Sequence, residues 1–173
     1  MREIFRSNDI EIRFQLKKQI IIRGPSTSEF NNHLNKHLNL LPPTENLRII
    51  NDQNRFLAKL SFDQWNLIIS EEIEIKKFQK IIDNLNLNSS TLATDYSDAQ
   101  VFFRIMGSNR FKMLNKLTHF DFREKSFKAL TAAQTLLARI DCAIFNFDDY
   151  LYISCNRSFS EYLEDRLIDA VNF

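Results

Sequence analysis

Gly24 and Gly107 are the only glycines in this chain of 173 residues. Glycine turns a backbone through positive φ at no steric cost. A chain with so few must be built from helices and strands joined by ordinary polar loops. The two glycines also occupy matching places, 83 positions apart, each after a strand-like run and before a helix start. A second pair of landmarks, Leu67-Ile68-Ile69-Ser70 and Leu151-Tyr152-Ile153-Ser154, lies 84 positions apart. Two nearly equal offsets predict a tandem duplication of a strand–helix–strands–helix unit, in which Gly24 superposes on Gly107 and Ile68 on Tyr152.

The pattern between these landmarks supports the plan. Ile10, Ile12, Phe14 and Leu16 alternate with polar residues, and Gln19 to Ile22 continues the apolar run; alternation of this kind suits a half-buried strand. Ser26-Thr27-Ser28-Glu29 has the form of a capping box. Phe30, Leu34, Leu38 and Leu41 then mark one helical face, closed by Pro42-Pro43. Strands are expected at 47–50, 56–60 and 65–69, a helix at 71–85 with Ile75, Phe78, Ile82 and Leu85 on one stripe, and a linker at 86–90. The second half repeats this order. A strand at 101–105 precedes a helix opened by Ser108 and carrying Phe111, Leu114 and Leu117. Strands follow at 135–140, 143–147 and 151–154. A second capping box, Ser158-Phe159-Ser160-Glu161, opens a helix with Tyr162, Leu163, Leu167 and Ala170. The expected fold is α+β: two tandem ferredoxin-like halves, residues 1–90 and 91–173, with mainly antiparallel sheets and helices on one face of each, packed as one compact domain. Asp148-Asp149 reads as a two-residue hairpin turn. Phe147 then faces Tyr150, and the same register sets Cys142 directly across from Cys155.

Composition excludes several function classes. Basic residues number 23 and acidic residues 22, a net charge of +1, and the basic groups are scattered. A nucleic-acid partner is not expected, because its phosphates call for clustered Lys and Arg. No apolar run reaches the length of a membrane span, and residues 1–9 lack a signal-peptide core. A cytoplasmic protein with reduced cysteines is expected, since Cys142 and Cys155 have no metal-type spacing.

Few residues carry the chemistry of an active site. There is no phosphate loop, no nucleophile elbow and no zinc-helix motif. Cys142 or Cys155 could pair on paper with His33, His37 or His119, but both cysteines fall inside strand patterns, where a small buried hydrophobe is the ordinary role. His33 and His37 stand one helical turn apart with Glu29 a turn before them, a stack that lacks further metal ligands. Trp65 and the sixteen Phe residues read as core, with some left to anchor a partner surface. No catalytic, cofactor-binding or metal-binding residue is assigned to the chain.

The second half resembles a known family. Thr94-Asp95-Tyr96-Ser97-Asp98-Ala99, the strand from Val101, Gly107 and the helix to Leu117 resemble the opening pattern of sarcosine oxidase gamma subunits. Phe120-Asp121-Phe122 resembles their next loop, and Ala133-Gln134-Thr135-Leu136-Leu137-Ala138-Arg139 their A-Q-T-x-x-A-R strand. Tyr150 to Ile153, Arg157-Ser158-Phe159 and Tyr162-Leu163 are similar to their closing segment. Lys128-Ala129-Leu130-Thr131 departs from the Pro-Gly turn common in the family. In the first half, Asp63 to Leu67 is similar to a D-E-W-L-L strand of the wider aminomethyltransferase-like superfamily. The resemblance implies a non-catalytic gamma subunit of a heterotetramer that demethylates sarcosine oxidatively. Its partners would be alpha, beta and delta subunits, chiefly alpha. FAD, FMN, NAD, tetrahydrofolate and zinc would sit on those subunits and none on this chain. N-methylglutamate dehydrogenase uses a similar small subunit. A stand-alone folate-binding protein, with Asp95 as the acid for a pterin ring, is the alternative reading; an RNA-binding module would need basic, aromatic strands that are missing.

Overall fold

The computed structural model of the chain describes residues 1–70 and 72–172. It falls into two compact units, one formed by Met1–Leu16 with Asp98–Phe173 and the other by Lys17–Ser97. Both are mixed, with few helices, and every strand pairing within them is antiparallel.

The Lys17–Ser97 unit contains β3 (Lys18–Arg23), α1 (Ser28–Leu38), β4 (Arg48–Asn51), β5 (Arg55–Ser61), β6 (Gln64–Ile69), α2 (Ile75–Leu85) and β7 (Leu92–Asp95). The numbering counts two earlier strands, β1 (Arg2–Arg6) and β2 (Glu11–Gln15), which belong to the other unit. The sheet order is β4-β5-β6-β3-β7. Ile20, Ile22, Leu57, Trp65, Leu67 and Ile69 turn one face of the sheet toward Phe30, Leu34 and Leu38 of α1 and Phe78, Ile82 and Leu85 of α2. Helices with a three-to-four-residue apolar spacing can bury only one stripe, and this sheet face is where it goes. α1 is capped one residue later than its sequence suggests: Thr27 Oγ1, not Ser26, accepts from the Phe30 N–H at 3.3 Å. It ends at Leu38, where Asn39 turns left-handed (φ 51°), so Leu41 is exposed and off the helical face. α2 starts at Ile75, later than expected, because residues 72–74 are not helical, and Ile75 is exposed; Glu71 lies outside the described residues.

The other unit contains β1 and β2 with β8 (Gln100–Met106), α3 (Arg110–Leu114), β9 (Thr131–Leu137), β10 (Ile140–Asn146), β11 (Tyr150–Asn156), a 3-10 turn (Arg157–Phe159) and α4 (Ser160–Asn172). Its sheet order is β1-β2-β8-β11-β10-β9. Ile12, Val101, Phe103, Ile144, Leu151 and Ile153 face Phe111 and Leu114 of α3 and Leu163, Leu167 and Ala170 of α4. Arg2 adds a bidentate ion pair from β1 to Glu164 of α4, at 2.9 and 2.6 Å. The second capping box is displaced: Asn156 Oδ1 accepts from the Ser158 N–H at 3.0 Å and caps the 3-10 turn that precedes α4.

Several expectations need correction. The division at residue 90 is replaced by the boundaries at 16/17 and 97/98. Residues 11–15 pair with β8, Phe14 opposite Phe103, instead of joining the first half. Residues 92–95, expected to open the second half, pair with β3 through Ile20 and Asp95. The physical reason is that β3 pairs with β6 and β8 with β11 on one side only; the segment from the other side of residue 90 supplies the second neighbour in both cases. The strand expected at 135–140 instead runs from 131 to 137 and turns at Ala138-Arg139.

The expected correspondence is present in the strand order of the two units. Gly24 follows β3 as Gly107 follows β8, while Ile68 lies on β6 and Tyr152 on β11, which occupy equal places in the two orders. It does not hold residue for residue. Ile68 pairs with Gln19 and Tyr152 with Arg104; Gln19 and Arg104 are 85 positions apart, two more than the 83 between Gly24 and Gly107. A shift of two keeps every side chain on its own face.

The two glycines do different work. At Gly24 an added Cβ would meet the Phe30 ring and, at 2.8 Å, the Ser90 carbonyl oxygen. Gly107 sits at φ +105°, and a Cβ there would land on the Asp9 carbonyl. Gly107→Ala therefore combines positive-φ strain with overpacking, each of order 1–3 kcal/mol. Urea unfolding should show a loss of roughly 2–4 kcal/mol at an unchanged slope; a loss below about 0.5 kcal/mol would mean that the Asp9 approach is not required.

Candidate functional site

The two cysteines meet as the hairpin register predicts. Cys142 pairs with Cys155 across β10 and β11, and the Phe147 N–H donates to the Tyr150 carbonyl at 3.0 Å around the Asp148-Asp149 turn. Asp148 is left-handed at φ 68°, and its N–H is held by Asn146 Oδ1 at 3.1 Å. Phe147 and Tyr150 stack with centroids 5.0 Å apart and planes at 18°. Asp148 and Asp149 are thus turn residues. Both cysteines are buried, 6% and 1% exposed, and both are free thiols. Burial pushes the Cys155 thiol up to about 12. Burial first, and then the neighbouring Cys155, raises the Cys142 thiol further. A thiol held protonated in an apolar layer is a poor nucleophile.

His33 and His37 stack on α1 at 4.6 Å between ring centroids. His33 Nε2 lies 2.8 Å from the Leu85 carbonyl oxygen. A carbonyl only accepts, so this nitrogen carries the proton and ties α1 to the end of α2. Burial, followed by the adjacent His33 and Lys36, lowers the His37 pKa. Among the described residues no group of three or more His, Cys, Asp or Glu is arranged to hold a metal. Asp95 closes a turn: its Oδ1 accepts from the Ser97 N–H at 2.9 Å and the Ser97 hydroxyl at 2.5 Å. Ser97 Oγ in turn accepts from the Gln19 N–H at 3.1 Å. That carboxylate fixes the exit from β7.

Two features were not legible in the sequence. The first is Lys59, 3% exposed on β5. Its ammonium donates to Ser26 Oγ and to the Thr44 carbonyl, each at 2.7 Å, and lies over the Trp65 ring at 4.9 Å. Trp65 Nε1 donates to the Pro43 carbonyl at 3.2 Å. One buried cation thus gathers the start of α1 and the Pro42-Pro43 segment around Trp65. Alternation along β5 would have flagged the lysine only if its partners, distant in sequence, were known.

The second is the β9–β10 turn. Leu137 pairs with Ile140, leaving Ala138 and Arg139 as a two-residue loop with φ 50° and 69°. Such a turn needs positive φ twice and favours Asn-Gly. Ala and Arg there cost roughly 1–2 kcal/mol each. The tip is held on two sides: the Ala138 N–H donates to the Leu117 carbonyl at 2.8 Å, and the Tyr162 hydroxyl to the Ala138 carbonyl at 3.4 Å. Beside it opens a groove of about 760 Å³, lined by residues 115–119, the β9–β10 hairpin end, Tyr162 and Arg166.

Two measurements follow. Iodoacetamide at pH 7.5 should leave Cys142 and Cys155 unmodified in the folded chain and label both in urea, read by mass spectrometry; fast native labelling would contradict the buried pair. Burial lowers the Lys59 pKa, so over the alkaline range below the unfolded value of about 10.4 the unfolded chain binds more protons than the folded one. Stability relative to Lys59→Met should therefore rise with pH across that window. A flat or falling difference would show that the ammonium is not desolvated.

Comparison with known proteins places these features. The profile of the family described as sarcosine oxidase, gamma subunit family matches residues 26–172. The fold is similar to that of a chain in heterotetrameric sarcosine oxidase from Corynebacterium sp. U-96, solved with pyrrole 2-carboxylate. The TM-score is 0.85 at 19% identity, over 98% of this chain and 87% of that one. It is also similar to the glycine cleavage system aminomethyltransferase T from Bartonella henselae, with TM-score 0.68, 13% identity, and coverage of 92% and 45%. The regulatory subunit of aspartate kinase from Thermus thermophilus, in its ligand-free form, gives TM-score 0.51 at 10% identity over 92% and 96%. At these identities the structures share a fold. No curated protein sequence matches the chain significantly.

Proposed function

Because the chain belongs to the sarcosine oxidase gamma subunit family, we propose that it is the small, non-catalytic subunit of a sarcosine oxidase-type heterotetramer. The observation that carries this reading is the family match over residues 26–172 together with a fold shared along 98% of the chain. The local chemistry agrees with it: the candidate nucleophiles are buried thiols, and Asp95, Asp148 and His33 are engaged in turns and a helix tie. In this reading the complex converts sarcosine to glycine, with one-carbon transfer to tetrahydrofolate and release of hydrogen peroxide. FAD, FMN, NAD, folate and zinc are held by the alpha, beta and delta subunits, and the complex is cytoplasmic. Among the described residues no helix is long and apolar enough to cross a membrane. The order β4-β5-β6-β3-β7 and its counterpart β9-β10-β11-β8-β2 support a ferredoxin-like reading of each unit.

The role of such a subunit is to stabilise its partners by mass action on their bound form. Co-expression of alpha, beta and delta subunits with and without this chain tests it. The chain should co-elute stoichiometrically, its omission should lower the yield or melting temperature of the complex, and the chain alone should produce no peroxide from sarcosine. A chain that stays out of the complex, or that turns over sarcosine unaided, would sink the proposal.

A further inference from the structure

The groove beside the Ala138-Arg139 turn carries basic side chains that the unit itself pairs only in part. Arg139 and His119 are exposed and have no hydrogen-bond or ion-pair partner among the described residues. Arg166 makes one ion pair, with Asp169 at 2.8 Å, and lies over the Tyr162 ring at 5.6 Å, while its Nε is buried without a hydrogen-bond partner. Lys116 donates to the Ala170 carbonyl at 2.8 Å. Among the described residues no Asp or Glu lines the groove; Asp141 stands across the ladder from Leu136. Two apolar side chains lie among these cations, Leu136 at 54% and Tyr162 at 48% exposure. Three cations, an imidazole and two exposed apolar groups in one concave surface complement carboxylates flanking an aliphatic or aromatic side chain.

The turn gives a second, independent sign. Glycine at position 139 would relieve the backbone, yet the position holds an arginine without a hydrogen-bond or ion-pair partner among the described residues. Strain of this kind persists where a side chain is needed for something outside the local fold. We propose that the groove formed by the β9–β10 turn, residues 115–119 and α4 is a docking site for an acidic segment of a partner subunit, with Arg139 as its principal contact. The inference rests on the assembly reading above and assigns the surface through which assembly occurs.

The test uses the full chain co-expressed with the alpha, beta and delta subunits. Arg139→Glu combined with His119→Glu changes two exposed, unpartnered side chains and should leave folding intact, checked by circular dichroism. It should reduce co-elution at least tenfold, whereas Lys76→Glu on the exposed side of α2 should not. Arg139→Gly should raise the melting temperature of the isolated chain by about 2–4 °C while weakening assembly. Ala138→Asn, which relieves the neighbouring residue and keeps Arg139, should stabilise the chain and assemble normally. A photoreactive residue at Leu136 should cross-link to a partner peptide containing two or more Asp or Glu. Equal assembly of wild type and the Arg139→Glu/His119→Glu variant, capture of a segment without acidic residues, or no capture in a complex that forms, each overturns the docking site and leaves the subunit reading standing. Failure of the wild-type chain itself to join the complex overturns both.

Discussion

The ladder between β2 and β8 is the interaction on which the Met1–Leu16/Asp98–Phe173 unit depends. Five antiparallel pairs, from Glu11 opposite Met106 to Gln15 opposite Phe102, bring together segments separated by the whole of the other unit. The approach is close because Gly107 has no Cβ to meet the Asp9 carbonyl, and the Asn109 N–H donates to that same carbonyl at 3.2 Å. Ile10 and Ile12 then enter the apolar layer with Phe103 and Ile105. Contacts of such long sequence separation must repay their loop closure before they stabilise anything. β2 consequently has no sheet to join until β8 and its neighbours have formed.

This also explains which parts of the fold could be read from the sequence. Local signals were informative. The Asp148-Asp149 turn fixed the register of β10 on β11 and with it the Cys142–Cys155 pairing, and the apolar stripes of α1, α2 and α4 face their sheets except at Leu41, Ile75 and Tyr162, which are exposed. What failed was partner choice. Residues 10–16 alternate as a strand should, but alternation does not say which sheet a strand joins. β7 follows a polar stretch that reads as a linker, and its pairing with β3 depends on Asp95, Ser97 and Gln19 meeting across 78 positions. The Ala138-Arg139 turn was invisible because turn signals rest on Gly, Asn and Asp, and this turn uses none of them.

The same pattern runs through the chemistry. Two polar groups that looked like candidates in the sequence are spent on holding the backbone: Asp95 on a turn and His33 on a carbonyl of the neighbouring helix. The sequence search named them because residue type is visible and environment is not. Arg139, read in the sequence as the end of a strand, and His119, read only as a possible base for a cysteine, are left without a partner among the described residues, and the turn geometry sets them on one groove. Lys59 falls between these cases, a buried charge whose hydrogen bonds and aromatic neighbour are complete within its own unit.

The order of strands in the two units carries one more consequence. From β3 the chain runs strand, helix, three strands, helix, strand; from β8 it runs the same way through α4, and the closing strand is then supplied by β2 from the opposite end of the sequence. The units are circular permutants of one plan. Arg2 already grips Glu164 near the other end of the sequence. A chain reopened between residues 97 and 98, with residue 172 joined to residue 2 by a short linker, would therefore keep every strand neighbour within each unit. Each would then be continuous along the polypeptide, and the β2–β8 ladder would close within one unit without the other unit inserted between its strands.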